Sequence, residues 1–311
     1  MRGDGDGWVT VADRERRWGR FGAAGLLLRA PGPDPTDPLV LLQLRVGWSH
    51  HGGTWGIPGG ARDSHESAVA GALREVAEET GIDPAVVGVR GELVDDVGGD
   101  PSGWTYTTVV ADVPHPLATV ADRESDALSW VPESAVVGLD LHPGLRSSWD
   151  RLRARPVTLV LDVANIVGSV PDGWWRDRVA ATTRLLTAVA AAVPRTVEPP
   201  STVEPPRTVE PPRTGVVGRE RPQGGAPRFV RVTDTVAVVE GAARACPDVP
   251  GLRVVRADGS GDDAVVSEAG PFGAALVVSA DRGLVSRLPG RTTVLGPAAL
   301  RAWLPGTHAT R

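Results

Sequence analysis

The chain has 311 residues, a formal net charge of −5 and a single cysteine, Cys246. One cysteine excludes an internal disulfide framework, and no apolar run approaches the roughly 18 residues that a membrane-spanning helix needs. The N-terminus, MRGDGDGWVTVADRERRW, is too charged for a secretory signal peptide. We therefore expect a cytoplasmic protein, and the length predicts about two domains.

The first half of the chain is predicted to contain several strands. LLLRA and LVLLQLRV are apolar runs on either side of the loop APGPDPTDP, and this arrangement predicts two neighbouring strands. WTYTTVVADV and ALSWVP predict further strands later in the same half. Helical periodicity is strongest in the segment that separates these two groups of strands.

That segment predicts a helix from about Ser64 to Thr80. Asp63 and Glu66 have the spacing of a capping box, and Gly81 is a typical stop signal. Apolar residues recur at helical spacing between these limits, so one face of the helix is predicted to be buried.

Three glutamates, Glu75, Glu78 and Glu79, lie close together on the predicted helix. Like charges three and four residues apart repel by a few tenths of a kcal/mol, about 0.2–0.5 per pair. Either this face is solvated, or a cation neutralises it. Carboxylates beside a glycine-rich loop suit Mg²⁺, which prefers oxygen ligands together with substrate phosphates.

The complete pattern resembles the Nudix box, which reads G, five residues, E, seven residues and REUxEExGU, where U is aliphatic. All of its fixed positions are present, at Gly60, Glu66, Arg74, Glu75, Val76, Glu78, Glu79, Gly81 and Ile82. The resemblance covers about residues 18–150. It implies a Nudix domain at residues 1–153 with the family's αβα sandwich around a mixed sheet.

The resemblance also implies roles for individual residues. Glu75, Glu78 and Glu79 would bind Mg²⁺ or Mn²⁺, and one of them would assist deprotonation of the attacking water. Arg74 would orient a glutamate, and Glu66 would support the metal shell.

Two further residues are expected to contact substrate by the same resemblance. They are Gly60, within the box, and Glu124, which would supply an acid from a later loop; Asp126 is the alternative to Glu124. The family's substrates are nucleoside diphosphates linked to another group X. A nucleoside triphosphate is favoured here, because the proline expected after the box of ADP-ribose hydrolases is missing.

The second half has a different pattern. PVTLVLD, VAVVE, LRVVR, AALVVSA and TTVLG are Val-rich runs typical of a parallel sheet covered on both faces. Helical stretches alternate with them, which predicts a parallel-sheet α/β domain at residues 154–311. Sites in such sheets form beyond the carboxyl ends of the strands, where Asp162 and Asp281 are expected.

A repeat interrupts this second domain. Residues 195–214 repeat (R/S)TVEPP with a period of six. Paired prolines disfavour helix and remove amide donors, and the composition cannot form a core. Residues 194–227 are therefore predicted to form an extended, disordered loop.

LDVANIVGS, GDDAVV and VVSADRGL are similar to motifs of the NYN group of PIN-like ribonucleases, over residues 157–304. The resemblance implies that Asp162, Asp263 and Asp281 bind Mg²⁺ or Mn²⁺, with Asp262 nearby. Asn165 would orient the phosphate or the metal, and RNA would be a partner.

Three readings of the whole chain stay open from the sequence. The second domain is a nuclease beside a Nudix enzyme, or it only binds nucleic acid. Alternatively, the Nudix domain senses a nucleotide and regulates the other half without turnover. The intact box disfavours this last reading.

Overall fold

The structure is a computed structural model that describes residues 3–11, 16–96, 103–193, 195–197, 229–270, 275–290 and 292–304. The chain divides into two compact units, and the second unit begins at Ala154. No helix within the described ranges is long and apolar enough to span a membrane.

The first unit is built from short strands and two α-helices. Its strands are β1 (Trp8–Thr10), β2 (Arg16–Trp18), β3 (Ala23–Ala30), β4 (Leu39–Arg45), β5 (Trp55–Gly56), β6 (Gly59–Ala61), β7 (Gly88–Asp96), β8 (Thr105–Asp112) and β9 (Ser125–Pro132). Its α-helices are α1 (Ala68–Thr80) and α2 (Pro143–Leu152). Short 3-10 helices occupy Pro84–Val86 and Glu133–Gly138.

Seven of these strands form one mixed sheet, as the sequence predicted. The order is β5-β4-β3-β8-β7, with β6 paired to β3 and β9 paired to β4. The β3–β8 pairing is parallel and the others are antiparallel. Strands β3 and β4 pair with each other only at Arg29–Val40 and Ala30–Leu39. The start of β3 and the end of β4 pair with other strands instead, so the two strands separate there.

Helix α1 packs on one face of this sheet. Leu26 and Leu28 alternate along β3 and share a buried cluster with Ala72 and Val76 of the helix. All four side chains are at most 1% exposed. Burial of this kind stabilises the fold by about 1.5–3 kcal/mol for each large apolar side chain. Because these side chains hold one face of the helix against the sheet, they also fix the direction of its polar face.

The helix begins at Ala68, four residues later than the predicted Ser64. Its N-cap is Ser67, whose side chain accepts a hydrogen bond from the Ala70 amide at 3.1 Å. Asp4 explains the difference, because its carboxylate binds the Ser64 amide at 2.9 Å and the Ser64 hydroxyl at 2.5 Å. Residues just before the cap are thereby held as a turn.

The second unit alternates strands with helices. Its strands are β10 (Arg155–Asp162), β11 (Arg195–Val197), β12 (Val230–Val239), β13 (Arg253–Arg256), β14 (Ala275–Val278) and β15 (Thr293–Leu295). Its α-helices are α3 (Val163–Gly168), α4 (Arg178–Ala192), α5 (Gly261–Ala269), α6 (Arg282–Val285) and α7 (Pro297–Arg301). Short 3-10 helices occupy Trp174–Arg176 and Gly241–Ala245.

These strands form a six-stranded sheet in the order β11-β12-β10-β14-β15, with β13 also paired to β12. The five Val-rich runs are β10 and β12 to β15, and all pairings among them are parallel. Buried apolar clusters lie on both faces of the sheet. The carboxyl ends of β10, β12 and β14 consequently lie at one edge.

Strand β11 falls inside the segment that the sequence assigned to a disordered loop. Arg195–Val197 pairs antiparallel with β12, and the side chains of Thr196 and Val197 are buried. The predicted loop is wrong at this point because RTV precedes the first proline pair and can pair with the free edge of β12. Residues 198–227 lie outside the described residues.

Deleting residues 195–214 is expected to lower the melting temperature by several degrees. Loss of the buried Val197 side chain alone removes about 1.5 kcal/mol or more, which corresponds to roughly 3–6 °C in a unit of this size. Deleting only residues 201–214 is the matched control, since it retains β11 and changes loop-closure entropy little. Equal melting temperatures for both deletions would show that β11 contributes nothing.

Candidate active site

The residues of the box lie on β6, on α1 and in the turns beside the helix, where Glu66 precedes it and Gly81 and Ile82 follow it. Helix α1 ends at Thr80 and is capped by Gly81, whose φ of 73° is left-handed and whose amide donates to the Ala77 carbonyl at 3.1 Å. Glycine adopts this conformation without steric cost. The cap and the buried apolar face together fix the glutamates relative to β6.

Arg74 organises one side of the site. Its Nε and Nη2 atoms donate to the two carboxylate oxygens of Glu66 at 2.8 and 3.0 Å. Its Nη1 donates to Glu75 Oε1 at 2.8 Å, and Nη2 also donates to the Ala61 carbonyl at 2.9 Å. The hydrogen bond from Arg74 is the main reason that the pKa of Glu66 is lowered. Glu66, Glu75 and β6 are therefore held by one guanidinium group.

Gly60 is required for close packing against Glu75. A Cβ atom placed on Gly60 would lie 2.6 Å from both Cδ and Oε1 of Glu75. Any side chain here would displace that carboxylate. The glycine of the box thus makes room for the first of the clustered glutamates.

Glu79 is the most buried carboxylate of the site, at 6% exposed. Its Oε2 accepts a hydrogen bond from the Gly59 amide at 2.8 Å. Burial, followed by the charge of Glu75, raises the pKa of Glu79 to about 8. Burial also raises the pKa of Glu75, although Arg74 opposes the shift. Two neighbouring buried carboxylates resist joint ionisation unless a cation neutralises them.

Glu78 lies apart from the other two glutamates. Its side chain is 61% exposed, and its Oε2 is 3.8 Å from Nη1 of Arg74. Among the described residues, the triplets of metal-capable side chains with ligand atoms within 4.8 Å are His50, His51 and His142, and Asp4, Asp63 and His65. The structure therefore brings Glu66, Arg74 and Glu75 together, but it does not converge the three box glutamates on one point.

The donor set nevertheless fits a hard divalent cation. The available ligands are carboxylate oxygens from one helix face, and Mg²⁺ and Mn²⁺ favour such ligands. Burial is the main cause of the raised pKa values of Glu75 and Glu79, and a bound cation would favour their ionised forms. Glu75 and Glu79 would hold such a cation, and Glu78 lies on the same helix.

Glu124, predicted to contact substrate, has an exposed side chain in a turn. Its amide donates to Asp122 Oδ1 at 2.9 Å, and its carbonyl accepts from the Val46 amide at 3.2 Å. The alternative, Asp126, is an exposed residue of β9. Of the acids in this region, it is Asp122 whose charge raises the pKa of Glu79.

Two residues near Glu79, Gln43 and Asp122, are not singled out by the sequence patterns. Gln43 is buried in β4, and its side chain lowers the pKa of Glu79. Its Nε2 donates to Ser125 Oγ at 2.8 Å, and that hydroxyl donates to Asp122 Oδ1 at 3.0 Å. A lone glutamine within the apolar run LVLLQLRV was the available signal, because buried polar groups need a partner.

At the carboxyl edge of the second sheet, Asp162 and Asn165 lie within one hydrogen-bonded network. Asp162 Oδ2 accepts from Ser279 Oγ at 2.7 Å, and Oδ1 accepts from the Asn165 amide at 3.1 Å. The Asp281 amide donates to Ser279 Oγ at 3.0 Å. Burial is the main cause of the raised pKa of Asp162, and the charges of Asp262 and Glu240 add to it.

The three predicted metal carboxylates of this unit are not brought together. Asp263 forms an ion pair with Arg287 and is 68% exposed. Asp281 Oδ1 caps α6 by accepting from the Gly283 and Leu284 amides at 2.7 and 3.0 Å. Asp262 and Asp263 are adjacent helix residues and point to different sides of α5. Asp262, not Asp263, acts on Asp162.

Comparison with known proteins gives matches to about half of the chain. The NUDIX domain model matches residues 20–152. A Mycobacterium tuberculosis protein described as "Putative 8-oxo-dGTP diphosphatase 3" is 56% identical over 163 residues, which are 52% of this chain and 75% of the relative. A Bifidobacterium longum nucleoside triphosphate pyrophosphatase/Nudix hydrolase fusion protein is 42% identical over 155 residues, covering 49% and 31% of the two chains.

A crystal structure of the Nudix hydrolase RenU from M. smegmatis is 51% identical, with a TM-score of 0.45, and the match covers 47% of this chain and 92% of that one. The range that the family model matches contains the complete box, from Gly60 to Ile82. The chain therefore belongs to the Nudix hydrolase family, whose enzymes act on nucleoside diphosphate derivatives.

Proposed function

We propose that residues 1–153 form a Mg²⁺-dependent pyrophosphohydrolase that cleaves a nucleoside diphosphate linked to X, with a nucleoside triphosphate as the favoured substrate. The observation that carries the proposal is the Arg74 arrangement, which fixes Glu66 and Glu75 beside β6 while Glu79 lies buried next to them. The printed name of the mycobacterial relative makes 8-oxo-dGTP the first triphosphate to test.

The chain's own residues supply positioning and proton transfer. Bound Mg²⁺ would neutralise phosphate charge and lower the pKa of a coordinated water. Glu79, with a pKa of about 8 in the absence of metal, can accept a proton from the attacking water once it is ionised. The Gly59 amide orients its carboxylate, and Arg74 orients that of Glu75. Glu66 keeps Arg74 in place through two hydrogen bonds.

A hydrolysis panel tests this proposal. The full chain is incubated with Mg²⁺ and with dGTP, 8-oxo-dGTP, ADP-ribose and other nucleoside diphosphate derivatives, and the products are separated by chromatography. Triphosphate cleavage with release of pyrophosphate supports the proposal. Tight nucleotide binding without turnover of any compound would instead favour the sensor reading.

For residues 154–311 we propose a PIN-like, metal-dependent ribonuclease. Its support is the buried Asp162, which lies at the carboxyl edge of a parallel sheet with Asn165 and Ser279. In the proposed site, the acids whose charges raise the pKa of Asp162 are Asp262 and Glu240, and Asp263 is not among them. A domain that only binds nucleic acid is the second candidate, because Asp263 is paired with Arg287.

Cleavage of single-stranded RNA by the full chain with Mn²⁺ separates these two candidates. The Asp162→Asn variant is expected to lose cleavage, whereas Asp248→Asn, at an exposed acid paired with Arg256, is expected to retain it. If the parent protein binds RNA but does not cleave it, only the second candidate, a domain that binds nucleic acid, is left.

A further inference from the structure

The stretch GDGDG, residues 3–7, comes just before β1 and contacts the turn between β6 and α1. We call residues 3–7 the N-terminal segment and residues 62–66 the box loop. The carboxylate of Asp4 accepts hydrogen bonds from the amide and the hydroxyl of Ser64. The Gly5 amide donates to Asp63 Oδ1 at 2.9 Å. These hydrogen bonds join two parts of the chain that lie 58 to 60 residues apart.

Gly5 allows the N-terminal segment to approach the box loop closely. It is buried, and a Cβ atom on it would overlap the carbonyl oxygen of Arg62. The Gly5 carbonyl accepts from the Arg20 amide at 2.8 Å, and the Gly7 carbonyl accepts from the Gly19 amide at 2.8 Å. The N-terminal segment is therefore held on one side by the turn after β2 and on the other side by the box loop. A segment that is anchored on both sides can restrain the loop that it contacts.

The box loop connects these contacts to the glutamates of the site. The Asp63 amide donates to Glu66 Oε2 at 3.1 Å. Glu66 holds Arg74 through two hydrogen bonds, and Arg74 holds Glu75 through a third. A displacement of Asp63 would therefore move Glu66, and with it the guanidinium that orients Glu75. Residues that hold metal ligands in place from outside the ligand shell strongly influence metal affinity.

Asp6 shows that the N-terminal segment lies beside the site itself. Burial is the main reason that the pKa of Glu75 is raised, and the charge of Asp6 adds to the shift. Charges in contact with solvent are largely screened from one another beyond about 10 Å. Asp6 lies between Gly5 and Gly7, whose backbone groups are both anchored. The segment is thus fixed next to the carboxylate that Arg74 orients.

The box loop also makes contacts that do not involve the N-terminal segment. The Arg62 amide donates to the Gly22 carbonyl at 3.1 Å, and the Arg62 side chain donates to the Phe21 carbonyl at 2.7 and 3.2 Å. Strand β6, which leads into the loop, is paired with β3. Removing the hydrogen bonds of Asp4 should therefore loosen the box loop without unfolding the domain.

We propose that the N-terminal segment is a positioning element of the Nudix site. Asp4 and Gly5 fix the box loop. Through Glu66 and Arg74, the box loop in turn orients Glu75 for the divalent cation. The inference rests on the proposed Mg²⁺-dependent hydrolysis, and it adds two residues from outside the box to the structure that supports this reaction. Both residues act through the box loop and not on the substrate.

Asp37 provides a matched control for Asp4. Its carboxylate accepts from the Ser134 amide at 3.0 Å and from the Ser134 hydroxyl at 2.6 Å, which is the arrangement that joins Asp4 to Ser64. Both serines are exposed. Asp37 comes just before β4, whose first residue, Leu39, pairs with the end of β3 that lies away from β6. Asp37→Ala therefore removes the same hydrogen bonds at a different place in the same unit.

Mn²⁺ calorimetry of the full chain, and steady-state hydrolysis at several Mg²⁺ concentrations, test the proposal. Asp4→Ala is expected to weaken Mn²⁺ binding about tenfold, the lower end of the roughly 10–100-fold loss that is typical when a support of a metal ligand is removed. At low Mg²⁺ the kcat should fall by a similar factor, and raising the Mg²⁺ concentration should restore most of it. Asp37→Ala should match the parent in both measurements, while the two variants should have similar melting temperatures. Residues 154–311 are unchanged in every variant, so any ion bound there contributes equally.

Gly5→Ala is the second variant, because Asp4 could itself be a metal ligand. Ligand atoms of Asp4, Asp63 and His65 lie within 4.8 Å of one another, and an ion bound to them would also be lost in Asp4→Ala. Gly5→Ala keeps these three side chains but forces the N-terminal segment away from the box loop. We expect it to weaken Mn²⁺ binding and to lower kcat in the same way as Asp4→Ala.

Three results would overturn the positioning role. Parental Mn²⁺ affinity and kcat in folded Asp4→Ala protein would show that the N-terminal segment only stabilises the fold. Equal losses in Asp4→Ala and Asp37→Ala would indicate general destabilisation. Loss of Mn²⁺ binding in Asp4→Ala but not in folded Gly5→Ala would show that Asp4 is itself a ligand. The calorimetry requires no turnover, so if the parent binds Mn²⁺ but hydrolyses no compound, the proposed function fails while the Mn²⁺ comparison still decides the positioning role.

Discussion

Replacing Glu79 with glutamine is expected to reduce hydrolysis at least about 100-fold, the usual lower limit for removing a general base. Glutamine keeps the size of the side chain, and its carbonyl oxygen can still accept the Gly59 amide. The fold should therefore survive. Steady-state kinetics with the best substrate of the panel measures the effect, and near-normal turnover would exclude a catalytic role for Glu79.

The same variant should change the pH dependence of stability. The pKa of Glu79 is about 8 in the folded, metal-free protein and about 4.3 in an unfolded chain. Because the pKa is raised in the folded protein, the contribution of Glu79 to the free energy of unfolding is fully present below about pH 4.3. That contribution is lost as the pH rises toward 8. Glu79→Gln should remove this loss and stabilise the metal-free protein at pH 8 by at least about 1.4 kcal/mol, the equivalent of one pKa unit.

Urea unfolding in EDTA at pH 5 and pH 8 measures that difference. Glu78→Gln is the matched control, since Glu78 is exposed and its charge is solvated. The stability of this control should follow that of the parent at both pH values. A parent protein that is equally stable at both pH values would show that Glu79 ionises normally.

Glu133→Gln is expected to destabilise the first unit by about 3–5 kcal/mol, the cost of leaving a buried charge without its partner. Arg29 is 0% exposed, and its Nη2 donates to Glu133 Oε1 at 2.6 Å and to the Leu152 carbonyl at 2.7 Å. Glutamine fills the same space but leaves the guanidinium without a counter-charge. The midpoint of urea unfolding, with an unchanged m value, measures the loss.

Two comparisons make this prediction specific. The double variant Arg29→Met, Glu133→Leu should be more stable than Glu133→Gln, because it removes both charges. Asp140→Asn, which breaks an exposed ion pair with Arg146, should cost less than about 1 kcal/mol. A loss for Glu133→Gln no larger than that of the surface variant would contradict a structural role for the buried pair.

Local patterns predict much of the fold. The box was predictable because most of its nine fixed positions follow the spacing of a helix. Its glycine, Gly60, leaves the space that the Glu75 carboxylate occupies. The Val-rich strands were equally readable, since strands buried on both faces need apolar side chains throughout. These predictions depend only on residues near one another in the sequence.

Contacts between distant residues account for what the sequence did not predict. Asp4 delays the start of α1 by binding Ser64, a residue 60 positions away. Asp122, which the patterns overlook, is separated from Glu79 by several elements and acts on it only in the folded chain. Asp263 is equally plausible with Asp262 as a metal ligand until Arg287 is seen to pair with it. A spacing rule cannot supply such partners.

The limited pairing of β3 with β4 has an evolutionary consequence. The two strands meet only at Arg29–Val40 and Ala30–Leu39, and Arg29 at this closed end is the residue held by Glu133. The opposite ends of the same strands carry Gly25, which borders Gly59 of β6, and Gln43. One buried ion pair thus lies where β3 and β4 meet, at the opposite end of these strands from the glutamate site. Because this pair holds the domain together without touching the site, we expect related domains to differ in thermal tolerance when Arg29 or Glu133 is replaced.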